Sequence, residues 1–429
     1  MDRVEQGGAH RGWGAVAVIV GAGVVSAIQV GKATAAMDEI RADLMLDIGT
    51  ASMILSVFAL IGALGGAAIG MAVDRIGDRR MAIAGLVLQA LGAAIGGLAP
   101  EESVLLAARV LEGLGFLAVV VAAPAMIARL APPGRLNGAM ALWATFMPVG
   151  LALIMAATPL LSAISWRDLW LGNAALLGAY AVIVAATIPS PPAVVQVPGI
   201  ERSILADLAA ALRTGPPLLL AVIFSIYAAL FFAVFGFLPS LLSERLALGP
   251  ELAGPVAGLT IASGIVGNLA CGRMLRGTAP PAHILIAGFA VMAVTGCLFF
   301  WMPLPALPAL ILCILFALVG GVVPVVLFDA APRFAPGGSG GGSLVGATMG
   351  LIMQGNNIGL LVGPPLAGGL ATTFGWPSVA FLVAGLTGVA ALCVIVFARL
   401  DRAVFAIRRS ESFPGSSGCP DRKPASTDA

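Results

Sequence analysis

Apolar residues in this chain neither alternate with polar ones nor recur as the one-sided stripe of a surface helix. They run on without interruption and then stop. A helix rises 1.5 Å per residue, so about 20 such residues cross the hydrocarbon core of a bilayer. Twelve runs of that kind are read at 13–32, 48–71, 81–99, 103–127, 138–163, 169–189, 217–241, 252–275, 282–302, 304–329, 344–371 and 376–399. Each is expected to be a helix, because in lipid the backbone groups must be satisfied within the segment. Strands of a membrane barrel would alternate instead. The weakest separations are 302–304, broken by Pro303 and Pro305, and 163–169, broken by Trp166, Arg167 and Asp168.

The longest internal connection, roughly 190–216, opens with Pro189, Pro191 and Pro192 and then offers an amphipathic stretch at 201–213. That stretch is expected to lie on the membrane surface. It divides the chain into a six-helix bundle at 1–190, a linker at 191–216, a second six-helix bundle at 217–402 and a polar tail at 403–429, expected to be disordered. The predicted fold is therefore an all-α integral membrane protein of twelve transmembrane helices in two pseudo-symmetric bundles.

Composition fits that reading. Hydrophobic residues make up 59% of the 429 residues and charged residues 10%, with a mean hydropathy of +1.03. Soluble domains carry roughly 25% charged residues. The net charge of +2 is too small to argue for a nucleic-acid partner. The first run has no evident cleavage signal and is soon followed by others, so it is read as a span.

Arginine placement sets the orientation. With the N-terminus inside, the short inner loops hold Arg75, Arg79, Arg80, Arg129, Arg135, Arg202, Arg213, Arg273, Arg276 and Arg333, and the outer ones hold only Lys32, Arg41, Arg167 and Arg245. The positive-inside rule then places both termini in the cytoplasm. The abundance of Ala, Gly and Arg suggests a bacterial chain, hence an inner (plasma) membrane location.

The halves resemble each other. Span five carries Gly138, Met147, Pro148 and Gly150 and leads into Trp166; span eleven carries Gly346, Gly355 and Gly359 and leads into Trp376. Two six-span halves related by an axis along the membrane normal are an architecture of carriers.

The loop between spans two and three reads GMAVDRIGDRR at 70–80. Gly77 permits a tight turn. The arginines fix topology and can meet anionic lipid. Asp74 ends an apolar span, where a carboxylate is costly, so it needs an arginine or a helix N-terminus as partner. The segment resembles the signature of the major facilitator superfamily, matching at Gly70, Asp74, Arg75, Gly77, Arg79 and Arg80. The resemblance implies that Asp74 meets the inner end of span eleven, near 343–346, when the inner side is closed. These six residues would then be a conformational gate. The corresponding GNLACGRMLRG at 267–277 has Cys271 where the aspartate would stand, which leaves a second gate without its anion.

Span four holds Arg109 and Glu112 at membrane depth. Positions three apart share a helix face, and an intramembrane arginine must be paired or wetted. Glu112 is the expected partner. RVLEG at 109–113 also resembles the family's Arg-x-x-polar-Gly motif in this span. Three roles are open: binding a charged substrate, exchanging a proton, or holding helices in register. Lys32 either meets an anionic substrate from a longer span one or snorkels to the surface.

Further polar groups are candidates for a cavity between the halves: Gln29 in span one, Trp143 in span five, Tyr227 in span seven, and Gln354, Asn356 and Asn357 in span eleven. Their alternative role is interhelical hydrogen bonding.

The family's exchangers carry Gly, eight residues, then Gly-Pro-x-x-Gly in span five. Here Gly138 is followed nine residues later by Met147, then Pro148, Val149 and Gly150, a departure that disfavours drug–proton antiport. The resemblance points to a secondary active transporter for a small solute, with an anion among the candidates, working by alternating access with a proton as coupling partner. The general pattern resembles the cyanate- and nitroimidazole-type branch.

A drug or metabolite efflux antiporter is the alternative within the class. A channel, or a receptor built on a transporter fold, is the alternative outside it. No nucleotide-binding loop occurs, only two histidines are present, His10 and His283, and the five cysteines show no metal-type spacing. An enzyme, a cofactor and a metal are therefore not expected. The partners expected are substrate, proton and lipid, with the chain a monomer.

Overall fold

The computed structural model describes residues 2–46, 48–157, 164–190, 213–235, 238, 250–277, 279–337 and 344–411. Twelve helices among them are long and apolar enough to cross a membrane. Span one lies in Asp2–Ala35, span two is Ile48–Ile76, span three Asp78–Gly97 and span four Glu102–Leu130. Span five is Leu136–Ala144 continued by Phe146–Ala156, and span six is Trp166–Thr187. In the second half, span seven is Pro216–Phe235, eight Pro250–Met274 and nine Pro281–Trp301. Span ten is Ala306–Gly320 continued by Val322–Phe334, eleven is Val345–Phe374, and twelve lies in Val379–Glu411. The amphipathic stretch at 201–213 falls outside the described residues, apart from Arg213.

Three expectations need adjustment. Span one does not stop at Lys32; its helix continues to Ala35 and, after a turn at Ala36, a short helix Met37–Asp43 follows. No proline lies between Trp13 and Ala35 to end the helix sooner. Spans five and ten are each broken in the middle, at Thr145 and Gly321. Pro148 and Pro324 explain both breaks, since each lacks the N–H that would bond the carbonyl four residues earlier.

The repeat suggested by the sequence recurs in the packing. In the first half span one packs on five, two on four, and three on six. Adding six gives seven on eleven, eight on ten, and nine on twelve, and all three contacts are present. The halves meet through span two against eleven and span five against eight, which exchange under the same operation.

Glycine permits the first of these crossings. A Cβ on Gly70 would strike the carbonyl oxygen of Gly346, and one on Gly350 the carbonyl oxygen of Gly66. The two backbones touch, as small residues allow between membrane helices. Large side chains such as Leu64, Val182, Leu259, Val294, Phe381 and Leu392 are exposed on the outer surface of the bundle, where lipid tails are their solvent.

Candidate functional site

Gly77 has φ 98° and ψ 145°, a conformation that side-chain-bearing residues rarely adopt, and it joins span two directly to span three. That tight turn fixes Asp74 within the last turn of span two. Its Oδ1 accepts the backbone N–H of Gly346 at 2.8 Å and its Oδ2 that of Ala347 at 2.8 Å. These are the second and third residues of span eleven, whose first-turn N–H groups have no partner within the helix. A carboxylate there completes two orphan donors and meets the positive end of the helix dipole.

The neighbouring charges are used within the first half. Arg129, at the end of span four, binds Asp78 at 3.0 Å. Arg79 donates to Ser190 Oγ at 3.2 Å and to the carbonyl of Ala185, at the end of span six. Arg79 is half-buried by these bonds, while Arg75 and Arg80 are exposed. In the second half, Cys271 is buried and donates weakly to the Val322 carbonyl at 3.6 Å.

A second cluster is dry. Lys32, Arg109 and Glu112 are exposed by no more than 1%. Lys32 Nζ donates to Glu112 Oε1 at 2.8 Å, and Arg109 donates to Glu112 Oε2. Arg109 also donates to the carbonyls of Gln29 at 3.0 Å and Ile54 at 3.2 Å. The Lys32 ammonium lies 4.2 Å from the Trp170 ring centre, and the Arg109 guanidinium 4.7 Å from that of Phe58. Lys32 is thus not a snorkelling residue. It is the third member of the span-four pair, because the longer span one keeps it inside the bundle. The Gln29 side-chain amide is buried with neither end partnered.

Between the halves lies a cavity of about 890 Å³ including its opening to solvent. The first half contributes Val30, Phe58, Phe116, Phe146, Met147 and Pro148; the second contributes Phe224, Tyr227, Phe231, Phe328 and Met353 among others. Its polar lining residues are Asn268, Asn356, Asn357 and Tyr227, and none of its described lining residues is charged.

Among the sequence candidates, Tyr227, Asn356 and Asn357 therefore reach the cavity wall, and six do not. Trp143 is fully buried, stacked on Phe146 at 4.3 Å and packed against span one at Gly23. Gln354 accepts the Ala67 N–H at 3.3 Å across the contact between spans two and eleven. Gln29, Lys32, Arg109 and Glu112 lie behind Phe58, whose ring belongs both to the cavity wall and to the Arg109 contact.

Asn268, in span eight, was not among the candidates. Pro148 leaves the Ala144 carbonyl without its helical donor, and Asn268 Nδ2 supplies one at 2.9 Å from the other half. The signal was present in the sequence as Pro148, but nothing in span eight marks its partner.

The family model of the Major Facilitator Superfamily matches residues 19–348, well over half of the chain. The chain belongs to this superfamily. It is a multi-pass membrane protein of secondary transport, handling a small molecule. No curated protein matches the sequence.

Proposed function

We propose that the chain carries its solute by alternating access, the two halves, 1–190 and 217–402, rocking about the cavity between them. The observation that carries this reading is the cavity itself. It is built from both halves and, toward the Asp74 face, spans two and eleven close on each other through Gly66, Gly70, Gly346 and Gly350. The charged turn at 70–80 makes that face cytoplasmic under the positive-inside rule. Asp74 then latches the inward side shut, and its two bonds to span eleven must break for that side to open.

The Lys32–Glu112–Arg109 cluster is the coupling element. A proton on Glu112 would leave two buried cations without an anion, an arrangement that cannot persist unchanged. Phe58 carries any such rearrangement to the cavity wall.

Both cations are engaged by Glu112 and neither lines the cavity, so this reading of the site does not rest on an anionic solute.

The test is solvent accessibility in a cysteine-free background. Met147→Cys and Met353→Cys place one thiol on each half of the cavity. A membrane-impermeant maleimide should label them from the face opposite Asp74, and from the Asp74 face once Asp74→Asn is added. Labelling from one face alone in both backgrounds would refute alternation.

A further inference from the structure

The wall of the cavity says something about what enters it. Aromatic rings come from both halves: Phe58, Phe116 and Phe146 from one, Phe224, Tyr227 and Phe231 from the other. Several are held in fixed mutual contact. Phe224 stacks on Tyr227 with centroids 5.8 Å apart and planes 14° from parallel, and Tyr227 lies 5.8 Å from Phe231. Rings held in this way offer flat faces at low entropic cost and favour a ligand that is itself flat.

The polar groups are few and uncharged. Asn268 is 1% exposed, lines the cavity, and has its Nδ2 committed to Ala144 while its Oδ1 has no partner. Asn357 spends Nδ2 on the Met353 carbonyl at 2.8 Å. Asn356 and Tyr227 line the same space. A buried acceptor left open costs free energy until a donor reaches it. A ligand that brings an N–H to Asn268 Oδ1 and a carbonyl to a neighbouring amide would complete the set.

Charge is disfavoured on two counts. No described lining residue carries a charge to pair an ion. The cluster just behind Phe58 holds two cationic groups and one anionic group, which opposes a cation nearby. An anion would leave water for a wall that offers it no cation, since both are already paired.

We propose that the transported solute is a neutral, planar, fused-ring molecule carrying a lactam-like N–H and C=O pair, sandwiched between the aromatic faces of the two halves and anchored through its N–H on Asn268. This rests on the carrier reading above and adds the substrate class to it.

The experiment uses the full chain in lipid nanodiscs and four matched probes: phenanthridinone, N-methylphenanthridinone, the N-methylphenanthridinium cation and a phenanthridine carboxylate. Equilibrium dialysis should show phenanthridinone bound at least about tenfold more tightly than each of the other three. Asn268→Leu should remove most of its advantage over the N-methyl compound; an undiminished advantage in this variant overturns the anchor. Should Asn268→Leu fail to insert, Asn356→Leu tests the same wall and should weaken the lactam alone.

Equal or tighter binding of either charged probe, or no binding of any probe, overturns the proposal. Counterflow of labelled phenanthridinone in proteoliposomes keeps the two readings apart. Binding without counterflow supports the substrate class and removes the carrier reading. Counterflow of a charged probe alone keeps the carrier and removes the class.

Discussion

Glu112 balances two buried cations, so the three members of its cluster are not equivalent. Glu112→Gln strands both cations and should destabilise the protein by about 3–5 kcal/mol. Lys32→Met leaves Arg109 and Glu112 as a neutral pair and should cost clearly less. Thermal unfolding in one detergent compares them, and equal losses would contradict the charge balance described here. The double variant Lys32→Met, Glu112→Gln leaves one stranded cation and should lose less than Glu112→Gln alone. The pair in span four was legible in the sequence, because three-residue spacing puts both groups on one helix face. Lys32 was only half legible. Its depth depends on where span one ends, and apolar pattern alone sets that end to within a few residues.

At the scale of elements, the broken helix of span five is held by a residue from the opposite half. Asn268→Leu leaves the Ala144 carbonyl unpaired in an apolar setting, a loss of about 1–3 kcal/mol. Pro148→Ala returns the missing N–H and should make Asn268→Leu much less harmful. A double-mutant cycle of thermal stability measures the coupling; strict additivity would mean that the amide and the proline act independently. All twelve spans could be read from apolar run length. The breaks at Thr145 and Gly321 could in principle be read as well, since Pro148 and Pro324 sit mid-span. Asn268 could not, because its value lies in a carbonyl more than a hundred residues away and appears only when the halves are packed.

At the scale of the whole molecule, closure of the Asp74 face depends on backbones that touch. Gly70→Val would drive a side chain into the Gly346 carbonyl and hold spans two and eleven apart. Spin–spin distances between labels on those two spans should lengthen at the Asp74 end and stay unchanged at the far end. A distribution identical to that of the parent chain would place the closing surface elsewhere. Asp74 and its motif marked this region from the sequence. The glycine contacts did not, because small residues are abundant throughout, with 55 glycines in the chain, and only packing shows which of them meet.

The acceptor side of the Asp74 contact consists of two main-chain amides. Those groups are present whatever amino acid is encoded at 346 or 347, unless the codon becomes one for proline. A genetic screen for suppressors of an Asp74 defect therefore has no reciprocal charge swap to find in span eleven. Revertants should instead map to sites that bias the resting conformation, a pattern that sequence covariation between the two helices would not reveal.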